Sequence, residues 1–225
     1  MEKINKYRKE IFGISTIGIV LLHINKYVAL LPGTTTAGKL LSIIFENGNI
    51  GVDIFLLMSA IGLTYSFEHN SIGIFYANRI KRVFIPFFIF AIVYFFWFDF
   101  CYVKDGCLNY ILNITSVNYW LQGDKFPLWY VSFILIIYLL FPGIYYINCK
   151  NKLYTVAANI AVIAIEFFLF KTKSPVYSEY EIVLSRIPVF LAGVLICKIK
   201  PSVSRLKFWL IIISGFAAGG GYILL

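Results

Sequence analysis

Long apolar runs separated by short polar segments dominate the pattern of this chain. A transmembrane helix needs about 20 apolar residues, and seven runs approach or reach that length. They are Ile11–Leu31, Ile50–Phe67, Val83–Val103, Leu128–Ile147, Leu153–Phe170, Ile182–Cys197 and Phe208–Leu225. An eighth run, Leu108–Leu121, is too short and too polar to cross, so we interpret it as an interfacial or re-entrant segment. The pattern predicts an all-α, polytopic membrane helix bundle with about seven transmembrane helices.

The composition supports this class. Hydrophobic residues make up 60% of the 225 residues and charged residues 14%, which is too apolar for a soluble domain whose exterior must be largely polar. The first run is too long for the apolar region of a signal peptide and is not followed by a small-residue cleavage site. We therefore expect one transmembrane domain over residues 1–225, embedded in the lipids of a cell membrane.

The distribution of lysine and arginine predicts the orientation of the bundle. With the N-terminus in the cytoplasm, the inner segments carry thirteen of the 20 basic residues and the outer segments carry six. This excess follows the positive-inside rule, and it disappears if Leu108–Leu121 is counted as a span. The net charge of +9 is explained by this topology and by anionic lipid headgroups, without nucleic acid as a partner.

Several other kinds of site are not indicated. The four cysteines have no metal-binding or redox spacing, and the two histidines are predicted on opposite sides of the membrane, so we expect no metal site. The chain has no glycine-rich phosphate loop followed by lysine and no nucleophile elbow. Asn113–Thr115 fits the glycosylation pattern, which is common by chance.

His23 is an ionisable side chain inside the first predicted span. Such a group is costly in hydrocarbon and is unusual unless it lines a cavity or takes part in chemistry. Imidazole also exchanges protons near neutral pH. The alternative is a packing histidine that hydrogen-bonds a neighbouring carbonyl group.

Three further ionisable residues are predicted in the same outer half of the membrane as His23: Asp53, Glu166 and Arg186. They come from separate helices and their charges could pair, as Arg186 with Glu166 or Asp53 with His23. We interpret the four as lining a water-accessible reaction chamber; a purely structural charge network is the alternative.

Two arginines are predicted at the inner face. Arg79 and Arg82 are three residues apart on one helical face, with Pro86 a turn further along. Arginines spaced in this way can form a multi-donor clamp for phosphate groups. The alternative is an ordinary cationic anchor at the membrane interface.

Five segments in order along the chain resemble motifs of the membrane-bound acyltransferase 3 family. Ile19–His23 resembles the end of the family's first helix, and Asn47–Phe67 its G-V-D second-helix signature. Phe75–Phe88 is similar to its R-x-x-R motif followed by proline. Pro127–Pro142 matches its L-W-Y opening and closing proline, and Ser185–Cys197 resembles an R-x-x-x-F-x-x-G element.

This resemblance implies an enzyme, an integral membrane O-acyltransferase. Members of the family move an acyl group, usually acetyl, from cytoplasmic acyl-CoA to a hydroxyl group of a cell-surface or exported glycan. Acyl-CoA is then a donor substrate and not a permanently bound cofactor, and the acceptor is a glycan or a lipid-linked glycan. The resemblance maps the family's essential histidine onto His23, its arginine pair onto Arg79 and Arg82, and its second-helix motif residues onto Asp53 and Ser59.

The chain also departs from the family pattern. Phe12 stands where many members have an arginine, eleven residues before the histidine, and Ala60 replaces the usual glycine after the motif serine. The family core is longer and has more helices. We therefore expect a C-terminally truncated domain, and an inactive remnant is one alternative for its function.

The mechanism that we expect is general-base acyl transfer. His23 removes the proton of the acceptor hydroxyl group, and Asp53 orients the imidazole. Arg79 and Arg82 bind the phosphates of coenzyme A. A transient acyl-histidine is an alternative route, and a non-enzymatic carrier or flippase for a lipid-linked glycan is an alternative function.

The remaining candidate residues are assigned to binding of the acceptor. They are Ser59, Trp129, Tyr130, Glu166 and Arg186. Trp129 and Tyr130 could stack on a sugar ring; the alternative for this pair is an aromatic anchor at the membrane interface.

Overall fold

The structure, a computed structural model, describes residues 7–28, 36–104, 106–123 and 128–197. These residues are almost entirely helical, and the described ranges contain no β-strand. The predicted span Phe208–Leu225 lies outside them, so the total of seven spans stays a prediction. The helical membrane bundle is confirmed.

Eleven α-helices occur in the described ranges. They are α1 (Arg8–Val28), α2 (Thr36–Glu46), α3 (Ile50–His69), α4 (Ile72–Arg79), α5 (Ile85–Phe96), α6 (Cys107–Ile114), α7 (Asn118–Gln122), α8 (Trp129–Lys150), α9 (Lys152–Lys171), α10 (Pro175–Leu184) and α11 (Ile187–Cys197). A short 3₁₀ turn, Asn47–Asn49, joins α2 to α3. Two π-helical segments, Ile80–Phe84 and Trp97–Tyr102, precede and follow α5.

Five continuous helical stretches in the described residues are long and apolar enough to cross a membrane. They are Leu41–His69, Ile72–Tyr102, Trp129–Lys150, Lys152–Lys171 and Pro175–Cys197. The first predicted span, Ile11–Leu31, overlaps the 21-residue helix α1, which is not among these five stretches. The segment Leu108–Leu121 forms α6 and α7, of eight and five residues, and neither is long enough to cross.

Three spans begin earlier than the sequence predicts. The second starts at Leu41 and not at Ile50, because the polar stretch Asn47–Asn49 keeps a helical backbone. The Asn47 side-chain amide donates to the Ile43 carbonyl oxygen at 2.7 Å, which satisfies the polar group within the helix. The third starts at Ile72 and the sixth at Pro175, since their polar residues also lie on helices.

The described chain divides into two units, Met1–Gly62 with Pro188–Leu225, and Leu63–Ile187. In the first unit, glycines allow close packing of helices. A Cβ atom on Gly48 would overlap the Gly18 carbonyl oxygen of α1, and one on Gly51 would lie 2.6 Å from the Ser15 carbonyl oxygen. Small residues of this kind let membrane helices approach closely, so these contacts fix where α1 lies against the start of α3.

The second unit has an aromatic core. Phe67, Phe75 and Phe141 are buried, with ring centroids 5.2–6.0 Å apart. Helices α8 and α9 form a tight hairpin, in which the Asn151 side chain accepts a hydrogen bond from the Leu153 amide at 3.0 Å. This cap satisfies one of the free amide groups at the start of α9.

Candidate functional site

His23 lies on α1, five residues before the helix ends, and its side chain is exposed. Its neighbours Val20 and Ile24 on α1 are exposed as well. The level of His23 relative to the start of α3 follows from a contact of the preceding residue, Leu22, with Gly48. The Leu22 Cβ atom is 3.1 Å from the Cβ position of Gly48.

Asp53 is buried on α3, with 4% of its surface exposed. Phe12 of α1 meets Phe55 of α3, with ring centroids 4.6 Å apart, whereas Ser15 and Gly18 meet Gly51 and Gly48. The two helices are therefore antiparallel.

This register separates the two predicted catalytic residues. Asp53 is level with a position about nine residues before His23 on α1, or roughly 14 Å along the axis at 1.5 Å per residue. A hydrogen bond needs about 3 Å, so the structure does not bring Asp53 beside His23. Asp53 also lies near the middle of the span Leu41–His69, deeper than predicted, because that span begins earlier.

Ser59 is half-buried on α3, and its neighbour Ala60 is fully buried. Ala60 faces Gly193 of α11, where an added Cβ atom would lie 2.7 Å from the Ala60 Cβ and 2.8 Å from the Leu57 carbonyl oxygen. The glycine of the R-x-x-x-F-x-x-G element therefore provides the space for the alanine that replaces glycine in the second-helix motif.

Arg79 and Arg82 lie in different environments. Arg79 ends α4 and is half-buried, with its guanidinium carbon 5.2 Å from the centre of the Phe75 ring and 5.8 Å from that of Tyr138. Arg82 belongs to the π-helical segment Ile80–Phe84 and is exposed. Because the π-helical segment widens the turn, the spacing of three residues does not place the two guanidinium groups in equivalent positions.

Arg79 also lines a small cavity of about 150 Å³ between α4 and α8. Its aromatic neighbours Tyr76 and Tyr138 line the same cavity, and the Tyr76 hydroxyl group donates to the Leu139 carbonyl oxygen at 3.1 Å. The guanidinium group of Arg79 therefore lies against the rings of Phe75 and Tyr138, at the edge of this cavity. Tyr138 was not among the predicted residues, since an aromatic residue in an apolar run carries no distinct signal.

Glu166 and Arg186 are brought into electrostatic range of each other, and Glu181 of α10 joins them. Arg186 is buried, with 1% of its surface exposed, and its Nη1 donates to the Ser185 hydroxyl oxygen at 3.3 Å. The Tyr177 hydroxyl group donates to Glu181 Oε1 at 2.8 Å. We name Glu166, Tyr177, Glu181 and Arg186 the outer charge cluster, after the side of the membrane on which the sequence predicts them. Glu181 and Tyr177 were missed because they precede the predicted start of the sixth span.

A larger cavity of about 580 Å³ lies between α8, α9 and α10, and apolar surface lines it throughout. Its wall includes Ile137, Leu140, Ile165, Leu169, Tyr180 and Val183. Ile165 and Tyr180 directly precede Glu166 and Glu181 in sequence, so the cavity and the outer charge cluster share the same helical turns.

Trp129 and Tyr130 begin α8 and are half-buried. Their rings meet edge to face, with centroids 5.7 Å apart. The structure describes both as packed against each other at the end of a span, which is compatible with either predicted role.

A buried polar network near the end of the span Ile72–Tyr102 was also not predicted. Asn113 Nδ2 donates to both carboxylate oxygens of Asp99 at 2.9 Å, and Asn118 Nδ2 donates to Asn113 Oδ1. The network fixes α6 and α7 to the π-helical segment Trp97–Tyr102. Because the Asn113 amide is buried and bonded, the glycosylation pattern at this position is not an accessible acceptor in the folded chain.

Among the described residues, no group of three or more histidine, cysteine, aspartate or glutamate side chains could hold a metal ion. The four cysteines are free thiols.

One comparison identifies a family. The family model described as "Acyltransferase domain", of the acyltransferase 3 family, matches residues 13–225. No curated protein and no solved structure matches the chain. The matched range includes all the candidate site residues, from His23 to Arg186.

Proposed function

Because this chain belongs to the acyltransferase 3 family, we propose that it is an integral membrane O-acyltransferase that uses cytoplasmic acyl-CoA. The acyl group is acetyl in the simplest case, and the acceptor is a hydroxyl group of a cell-surface or exported glycan. The observation that carries this proposal is the exposed imidazole of His23 on an apolar helix. An exposed ionisable group on such a helix is expensive unless a ligand or water reaches it.

In the proposed reaction, His23 accepts the proton of the acceptor hydroxyl group while the hydroxyl oxygen attacks the thioester carbonyl carbon. The new C–O bond forms, the C–S bond breaks, and the coenzyme A thiolate leaves with a proton returned from the imidazolium. An acyl-histidine intermediate would divide the same transfer into two steps.

The other residues take supporting roles in this proposal. Arg82, which is exposed, binds phosphate groups of coenzyme A, and Arg79, held by Phe75 and Tyr138, places a second positive charge nearby. Asp53 has no role at the imidazole in this proposal, because the register of α1 against α3 keeps it away from His23. Glu166 and Arg186 contribute to binding of the acceptor.

The test compares His23→Ala with His69→Ala in membranes that contain matched amounts of each variant. His69 is the other histidine, stacked on Tyr65 at 4.1 Å, and is a control for loss of an imidazole. We expect transfer from radiolabelled acetyl-CoA to envelope glycans to fall by about 10²–10⁴ for His23→Ala and to stay unchanged for His69→Ala. Equal activity of the two variants would refute the role of His23.

A second measurement distinguishes the two chemical routes and the carrier alternative. Protein incubated with labelled acetyl-CoA without acceptor should retain no label if transfer is direct, whereas a hydroxylamine-sensitive label that requires His23 indicates an acyl-histidine. Movement of a lipid-linked glycan across vesicles without consumption of acetyl-CoA would indicate a carrier and contradict the enzymatic proposal.

A further inference from the structure

Arg79 lies at the level of the middle of α8. Its guanidinium carbon is 5.8 Å from the centre of the Tyr138 ring, and the neighbouring Tyr76 hydroxyl group donates to the Leu139 carbonyl oxygen. Since α8 runs from Trp129 to Lys150, Tyr138 is roughly 14–18 Å from either end at 1.5 Å per residue. A guanidinium group inside a membrane span is costly unless it has a partner or lines a polar space. Arg79 therefore needs more support than an arginine at the membrane surface.

Two aromatic rings supply this support. Phe75, one turn earlier on α4, is fully buried, and its ring centre is 5.2 Å from the guanidinium carbon. It is stacked on Phe141 of α8, with centroids 5.7 Å apart and an interplanar angle of 21°, so its position is fixed by the aromatic core. Tyr138 is three residues before Phe141 on the same helix and contributes the second ring. The rings attract the cation but do not neutralise its charge.

The cavity beside Arg79 is suited to an anion. Among the described residues that line it, Arg79 is charged, Tyr76 and Tyr138 have hydroxyl groups, and none is aspartate or glutamate. Its volume of about 150 Å³ is sufficient for a phosphate group, since roughly 10–15 Å³ is sufficient for one water molecule. Arginine stays protonated and forms strong hydrogen bonds with phosphate oxygens. Arg82 does not line this cavity.

We propose that Tyr138 is a positioning residue: together with Phe75 it holds Arg79 at the cavity, where Arg79 binds one phosphate group of coenzyme A. Arg82 then binds a different phosphate group, and the two arginines do not form a single clamp. The inference rests on the proposed function and deepens it, because the family resemblance pairs the two arginines and assigns no role to Tyr138.

The test measures the affinity of the purified full chain for coenzyme A in phosphatidylcholine nanodiscs, which requires no acyl transfer. Arg79→Gln should weaken binding about tenfold, because a charged hydrogen-bond donor is lost. Tyr138→Leu should weaken it about fivefold through loss of the ring, whereas Tyr138→Phe, which keeps the ring, should stay within about twofold. The matched control is Tyr146→Leu, on the same helix at a residue that is 58% exposed and outside the cavity; it should bind like the unchanged protein.

Double variants distinguish positioning of Arg79 from a general effect on the bundle. Tyr138→Leu should cause no further loss in the Arg79→Gln protein, because the side chain that it positions is gone. In the Arg82→Gln protein the two losses should multiply, as for independent sites. The same fivefold loss in both backgrounds would show a merely structural role and overturn the proposal, as would an unchanged affinity for Tyr138→Leu alone. Should Tyr138→Leu not fold, Tyr138→Met, which also lacks a ring and adapts to irregular spaces, gives the same comparison.

Anionic lipid headgroups have the same phosphate chemistry, and a second arm of the experiment distinguishes them from coenzyme A. Replacing part of the phosphatidylcholine by phosphatidylglycerol should change the affinity for coenzyme A by the same factor in the unchanged protein and in Tyr138→Leu. If phosphatidylglycerol displaces coenzyme A only where Tyr138 is present, the cavity binds a lipid headgroup and the proposal is wrong.

Failure of this inference is distinguishable from failure of the proposed function. We expect Tyr138→Leu to raise the KM for acetyl-CoA at unchanged kcat. If it transfers acetyl groups with an unchanged KM, the positioning role is wrong, although the enzyme remains an acyltransferase. If coenzyme A binding shows the coupling of Tyr138 to Arg79 but no acetyl group is transferred to any acceptor, the binding site stands and the enzymatic proposal is wrong.

Discussion

Gly48 is the position at which a single added methyl group should change both stability and activity. Its Cβ would overlap the Gly18 carbonyl oxygen, lie 2.9 Å from the Gly18 carbonyl carbon and lie 3.1 Å from the Leu22 Cβ. The first two are backbone atoms, which cannot rotate aside as a flexible side chain can. Gly48→Ala must therefore displace α1 from the start of α3.

The expected cost follows from this geometry. Overpacking of a well-packed interface costs about 1–3 kcal/mol, and alanine recovers at most about 1 kcal/mol through its higher helix propensity. The net free energy of unfolding should fall by roughly 1–2 kcal/mol. Activity should fall further, because His23 follows Leu22 directly and a misplacement of about 1 Å can cost about 10²-fold in rate.

The matched control is Gly13→Ala on the same helix, where an added Cβ would have no atom within 4 Å. Unfolding of both variants by SDS in mixed micelles, followed by tryptophan fluorescence, gives the free energies, and acetyl transfer at matched protein levels gives the rates. Gly13→Ala should keep the rate of the unchanged protein, and its free energy of unfolding should be equal or higher by up to about 1 kcal/mol, because alanine has the higher helix propensity. The reasoning would be refuted if Gly48→Ala behaved like Gly13→Ala.

Three further predictions concern the second unit. Arg82→Gln should raise the KM for acetyl-CoA at unchanged stability, whereas Arg79→Gln should also lower the melting temperature, because its guanidinium group packs on two rings; an unchanged KM in both would assign the donor site elsewhere. Asn113→Ala should lower the free energy of unfolding by about 1–3 kcal/mol, since the buried Asp99 carboxylate loses the two hydrogen bonds from the Asn113 amide; a neutral result in the same SDS titration would argue against the network. Reporters fused after Lys150 and within Lys171–Glu179 should be cytoplasmic and external respectively, and the opposite activity at either site would contradict the predicted orientation.

The apolar pattern predicts most helices because length and hydropathy alone decide whether a segment can span a bilayer. It fails at the start of the second span for a specific reason. Asn47 is polar, yet its amide donates back to the Ile43 carbonyl oxygen, so the helix continues through a residue that sequence rules assign to a break. Such a local bond depends on the rotamer of the side chain, which the pattern does not contain.

The candidate site shows the same limit. The proximity of Glu166 to Arg186 follows from their predicted depths, because two neighbouring spans place residues of similar depth close together. Glu181 is not found in this way, because it precedes the predicted start of the sixth span at Ile182. In the structure that helical stretch begins at Pro175. The pairing of Asp53 with His23 depends on the register of α1 against α3, and the contacts of Gly48 and Gly51 set that register.

Motif residues of the family therefore divide into two groups in this chain. Gly48, Gly51 and Gly193 are explained by close contacts between helices, so their presence in a motif does not by itself indicate contact with a substrate. Phe12 belongs with them: it stands where many relatives have an arginine, and its ring packs edge to face on Phe55. At position 12, α1 therefore contributes an aromatic packing contact and not a charged side chain. His23 is exposed on the same helix, and its assignment as the general base is the prediction that His23→Ala tests.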